Sequence, residues 1–153
     1  LNKSVLDGFA EAARDVLRFM LGVDVEDAAS ETAQALGESV SVTIGLTGDI
    51  SGETRFYFPR GTALGMVGIM SGMDVECLDD FVMSAMGEMA NIISGNAVTA
   101  MAARQVSCDI LPPEVSVAGE PDSGETAGCM ALATTAGIVY LAARIHSSPR
   151  RLG

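Results

Sequence analysis

The chain has 153 residues, 48% of them hydrophobic, and a formal net charge of −11. That apolar content suits one domain with a real core, expected to span 1–153, and excludes a disordered chain. The acidic balance repels phosphate backbones, so nucleic acid is not an expected partner, and the one basic cluster, "PRRLG" at the C-terminus, is too short to reverse this. No apolar run reaches the ~18 uncharged residues that a membrane-crossing helix needs, and acids interrupt the apolar pattern of the N-terminal segment, unlike a secretory leader.

In chain order, Ser4 is placed to cap a first helix whose apolar positions, Val5, Phe9, Ala12, Ala13, Val16, Leu17 and Met20, recur at i, i+3/i+4, and Gly22 ends it. Residues 23–35 are acidic and poorly patterned and read as a loop or a short helical turn. The period then changes. Val40, Val42 and Ile44 alternate with polar residues, Phe56 and Phe58 do the same, and "TGDISGE" between them supplies turn chemistry, which together make a β-hairpin. "GTALGMVGIMSGM" is a short, Gly-rich helix, and residues 74–104 carry a second long helical pattern. "CDILPPEVSVAGE" holds a strand after its Pro pair, "EPDSGETA" is a loop, and "GCMALATTAGIVYLAARIH" is a second hairpin turning near Gly137. Each half is thus a long helix followed by strands that pair as a hairpin. The fold class is α+β, with duplicated helix-plus-hairpin halves and long helices packed on an antiparallel β-sheet.

Cys77, Cys108 and Cys129 are odd in number and form no CxxC pair. They read as small apolar packing residues in a reducing, cytoplasmic compartment. The single histidine, His146, cannot build a histidine metal site alone and reads as structural, so no metal site is expected.

The second long helix holds the informative stretch, "SAMGEMANIISGNA" at 84–97, where Gly87, Asn91, Gly95 and Asn96 stand at positions that Ala or Leu would fill better; an interior Gly costs about 0.5–1 kcal/mol against Ala. At roughly 100° per residue, Val82, Met86, Met89, Ala90, Ile93, Ala97 and Ala100 gather as a core face. Ser84, Glu88, Asn91 and Gly95 fall within an arc of roughly 60° nearly opposite, with Phe81 and Ile92 at its border. A face that is merely wet carries Glu, Lys, Gln and Ala. Small residues, one acid and one amide instead suit close approach by another surface: Gly95 removes a Cβ, Glu88 can pair with a cation, and Asn91 offers both donors and an acceptor.

These residues carry a resemblance. S-x-x-x-E-x-x-N-x-x-x-G, as Ser84, Glu88, Asn91 and Gly95, resembles the signature of the CheC/CheX/FliY phosphatases of bacterial chemotaxis, and the length and single-site layout are most similar to CheX. "GLTGDISGETRFYFP" is similar to that family's first hairpin, "TTAGIVYLAARI" to its closing hairpin, and Asn96 after Gly95 also fits the CheX style. The first helix keeps the spacing at Asp7 and Glu11 but has Arg14 where the Asn should be and Arg18 where the Gly should be. An Arg cannot accept a hydrogen bond from water, so this helix reads as a degenerate copy.

The resemblance implies a CheC-like fold and a phosphatase acting on a phosphorylated CheY-like receiver, whose aspartyl phosphate is bound with the receiver's own Mg²⁺; the chain would need no cofactor of its own. It implies that Asn91 orients the attacking water, that Glu88 docks on the receiver's lysine, and that Ser84, Ile92, Gly95 and Asn96 line the partner-binding surface. It also implies a homodimer joined by sheet continuation, for which "EVSVAG" and "GIVYLAARIH" are the strand-like, sparsely charged segments. Two other classes fit the same residues: a receiver-binding module without catalysis, and a structural protein of the flagellar switch.

Overall fold

The computed structural model describes residues 2–22, 24–28, 38–118 and 130–147. The first helix, α1, is Asn2–Leu21. It buries Val5, Phe9, Ala12, Ala13, Val16 and Leu17, while Met20 in its last turn is exposed. Ser4 lies inside the helix and not at its cap, because the helical turn already begins at Asn2. Gly22 ends α1 as expected: it adopts a left-handed φ of 65°, and its N–H donates to the Arg18 carbonyl at 3.0 Å. Only a residue without a Cβ takes that conformation at little cost.

Residues 23–35 are not simply a loop. Val25–Ala28 form β1, antiparallel to a later strand. The strand is four residues long, with Val25 buried and Glu26 and Asp27 exposed, too short for a period to show in the sequence. The remainder of that segment, from 29, lies outside the described residues, as do "EPDSGETA", Cys129 and "PRRLG".

The first hairpin is β2 (Ser39–Gly48) and β3 (Ile50–Pro59). Helix α2 (Arg60–Ser71) follows, then α3 (Asp80–Ala103), whose N-terminus is capped by the Asp79 side chain accepting from the Val82 N–H at 3.0 Å. A short strand unforeseen in the sequence, β4 (Cys108–Ile110), precedes the Pro pair, and β5 (Glu114–Ala118) follows it. The second hairpin is β6 (Met130–Thr134) and β7 (Gly137–Ser147).

The strands form one seven-stranded sheet in the order β1-β6-β7-β3-β2, with β4 and β5 both on the outer side of β2. Every pairing is antiparallel. The β3–β7 pair lies at the centre and relates two similar halves, α1-β1-β2-β3 and α3-β5-β6-β7. Each half lends its edge strand to the other half's hairpin: β1 pairs β6, and β5 pairs β2. The expected duplication is therefore real, and the halves are interlocked. All three helices share one core with Val40, Val42, Ile44, Phe56, Phe58 and Leu141.

Two expectations change here. The segment "GIVYLAARIH" lies in β7, an interior strand of the sheet that pairs with β6 at 137–141 and with β3 at 140–147, so it offers a second subunit no full-length edge. Of the two strands named for that role, only β5 lies at an edge. Cys77 is exposed and does not serve as a packing residue, while Cys108 is buried as expected. Among the described residues, no helix is long and apolar enough to cross a membrane.

The ends of the helical layer can be assigned. Asp49, at the β2–β3 turn, accepts the Ser107 N–H on its carboxylate and donates its own N–H to the Ser107 carbonyl, both at 2.8 Å, which pins that turn beside the C-terminus of α3. At the opposite end lies the β6–β7 turn. There Thr62 of α2 donates its hydroxyl to the Ile138 carbonyl at 2.9 Å, and Val25, just after α1, pairs with Thr134. Helices α1 and α3 therefore run antiparallel, and the end of α1, all of α2 and the start of α3 share one end of the layer.

Candidate functional site

The core face read for α3 holds at Val82, Met86, Met89, Ala90, Ile93 and Ala97, all buried. It fails at Ala100, which is exposed and lines a groove between α3 and α1. On the opposite side, Ser84 and Glu88 are exposed and Asn91 and Gly95 are half-buried, so the four emerge along one outward stripe. Among the described residues, neither the Glu88 carboxylate nor the Asn91 amide has a hydrogen-bond or ion-pair partner. Both are presented outward, uncommitted to the protein's own packing.

The two interior glycines of this helix prove to be different. A Cβ on Gly87 would sit 2.7 Å from Cγ2 of Val115, so this Gly lets β5 pack against α3 and belongs to the fold. A Cβ on Gly95 would meet nothing within 4 Å. No neighbour within the chain requires Gly there; its carbonyl merely accepts the Thr99 hydroxyl at 2.9 Å, which any residue could do. Of the remaining named positions, Ile92 is half-buried against the core at the border of the stripe. Asn96 turns away from Asn91 into a groove of about 550 Å³ between the two long helices, alongside Glu11 and Asp15 of α1 and Thr99 of α3.

The same stripe on α1 has become part of the scaffold. A constant offset of 77 residues takes Asp7 to Ser84, Glu11 to Glu88, Arg14 to Asn91 and Arg18 to Gly95. Burial follows the same offset, with Val5, Phe9, Ala13 and Val16 matching Val82, Met86, Ala90 and Ile93. Arg14 donates to the Asp27 carboxylate at 2.6 Å, and Arg18 donates to the Val25 carbonyl at 3.1 Å. The two arginines that displaced the amide and the glycine thus clasp edge strand β1 to α1. Sequence reading recognised the lost amide but missed the clasp, because its acceptor lies on a strand that shows no period.

Among the described residues, no group of three or more His, Cys, Asp or Glu side chains is placed to hold a metal ion. Burial, reinforced by the carboxylates of Asp109 and Asp49 and opposed by a backbone hydrogen bond at Thr47, pushes the Cys108 thiol up from its ordinary range. Cys108 is thereby kept as a neutral packing group and is no nucleophile. His146 lies on β7 opposite Ser51, away from the stripe on α3.

Fold and stripe together define a class: duplicated α+β proteins with an open helix face that bears one carboxylate, one amide and one glycine. The family model described as chemotaxis phosphatase CheX matches residues 40–136, a span that includes the whole stripe, and the chain belongs to this family. A relative described as the CheY-P phosphatase CheX of Thermotoga maritima is 27% identical over 118 residues, covering 75% of this chain and 76% of its own. The crystal structure of the chemotaxis protein CheX from Vibrio vulnificus superposes with a TM-score of 0.79 at 20% identity, over 93% of this chain and 96% of that one. A CheX–CheY–BeF₃–Mg²⁺ complex from Borrelia burgdorferi gives a TM-score of 0.69 at 24% identity, over 92% of this chain and 97% of that one. At these identities the solved structures establish the shared fold.

Proposed function

We propose that the chain is a cytoplasmic phosphatase that hydrolyses the aspartyl phosphate of a CheY-type receiver, with the outward stripe of α3 as its active surface. The observation that carries this reading is the stripe itself: Glu88 and Asn91 lie one helical turn apart on an open face, with no partners among the described residues, in a chain of the CheX family. In such a reaction, water attacks phosphorus in line with the leaving carboxylate. The P–O bond to the aspartate breaks, inorganic phosphate departs, and the carboxylate is restored.

The receiver's Mg²⁺ and lysine meet much of the developing charge, so this protein's contribution is positioning. The Asn91 amide accepts from and orients the water; it has no useful pKa and does not act as a base. Glu88 pairs with the receiver's active-site lysine and sets the register of docking. Ser84 and Gly95 leave room for the two backbones to approach, and Ile92 borders the contact, whereas Asn96 faces the groove and stands outside it. The protein supplies no metal of its own. The functional unit is a homodimer joined along the edge of β5, which has no second strand beside it among the described residues, and this leaves each α3 face open to one receiver.

The test is Asn91→Ala in a single-turnover assay with phosphorylated receiver. Dephosphorylation falls at least ~100-fold, equivalent to roughly 2.7 kcal/mol of barrier, while receiver affinity is held. Parental turnover by this variant would refute the water-orienting role of Asn91.

A further inference from the structure

Six of the exposed large apolar residues are Phe19, Met20, Ile69, Met70, Met73 and Phe81. All lie at the end of the helical layer beside the β6–β7 turn: at the end of α1, the end of α2 and its following loop, and the start of α3. Isolated apolar residues on a surface are ordinary, but a gathering at one end is the mark of an interface.

Phe81 connects that end to the stripe. It lies three residues before Ser84 and seven before Glu88, at the same face of α3. The Asp79 cap fixes the first turn of α3, and with it the direction of Phe81. Phe81 is 53% exposed. From Phe81 to Asn91 the rise is about 15 Å, within the breadth of one docked domain.

We infer that Phe81 is the apolar anchor of the receiver interface: the Glu88/Asn91 stripe performs the chemistry, and Phe81 sets how tightly, and which, receivers are held. The inference rests on the reading proposed above. Its occupant is the receiver itself, because Phe81 is continuous with the stripe on one helix face and a domain seated over Glu88 and Asn91 reaches it. The division of labour has a physical basis. An acidic protein attracts a lysine-bearing partner over a distance, but a single exposed ion pair holds little, and a buried aromatic supplies the missing affinity.

The experiment compares Phe81→Ser, Phe81→Leu and Asn91→Ala. Affinity is measured for a receiver loaded with Mg²⁺ and beryllofluoride, and kcat and KM for phosphorylated receiver. Phe81→Ser is expected to raise Kd and KM about tenfold or more, with kcat within about twofold of the parent. Phe81→Leu should recover most of the affinity; because it retains an apolar side chain, it also separates loss of contact from loss of fold. Unchanged Kd in Phe81→Ser overturns the anchor even if Asn91→Ala abolishes turnover and so upholds the phosphatase reading. Parental turnover by Asn91→Ala refutes the water-orienting role proposed for that residue, whereas the anchor is judged by Kd alone. Light scattering runs alongside: if Phe81→Ser halves the mass of the free protein, Phe81 seats a second copy and the inference is overturned.

Discussion

Gly95→Ala separates stability from function at one atom. Gly95 lies in the interior of α3, and a Cβ there meets nothing within 4 Å. With no clash to offset it, the substitution recovers the helix propensity lost to Gly, about 0.5–1 kcal/mol. For a chain of this size that is a rise in Tm of about 1–4 °C. The same methyl stands on the stripe, on the surface proposed to meet the receiver. A shift of about 1 Å in the placement of reacting groups costs as much as 100-fold in rate. Gly95→Ala is therefore expected to be more stable and slower. Thermal melting and single-turnover decay of phosphorylated receiver measure the two effects on one sample. Gly87→Ala is the internal control: its Cβ would lie 2.7 Å from Val115. The overpacking cost of about 1–3 kcal/mol opposes a gain of about 0.5–1, for a net loss of about 0–2.5 kcal/mol, with turnover per folded molecule unchanged. A stabilised Gly95→Ala with parental turnover would refute close approach at this position. A destabilised one would mean that Gly95 serves the fold.

Three further outcomes follow from the same geometry. Glu88→Gln keeps the shape and removes the charge, so receiver binding and turnover should weaken together, and less so at high salt where the pair is already screened; unchanged affinity at low salt would sink the docking role. Arg14→Ala should leave turnover near the parental rate and cost less than about 1 kcal/mol of stability, because Asp27 is largely exposed, while hydrogen exchange quickens in β1; a large loss of activity with β1 protection intact would return α1 to the mechanism. Light scattering should give twice the 15.8 kDa of one chain, through the β5 edge, and a mass that stays at the single-chain value across a dilution series would refute the dimer.

Much of this protein was legible in its sequence, because local rules act on contiguous residues. Helical periodicity marked α1 and α3, alternation marked the two hairpins, and the wheel of α3 separated its core side from the stripe of Ser84, Glu88, Asn91 and Gly95. The lost amide at Arg14 was equally visible, since side-chain chemistry does not depend on the fold.

What remained for the tertiary structure was whatever depends on partners distant along the chain. β1 is a strand because β6 pairs with it, and its few residues hold no period of their own. β7 has an edge-like composition yet is central, because strand order is set by long-range pairing and not by composition. Ala100 continues the apolar period but opens onto the groove between α3 and α1. Gly87 and Gly95 are the same residue in the same helix. Only the position of Val115, on a strand that packs from one side, decides that the first serves the protein's own packing and the second leaves an open surface.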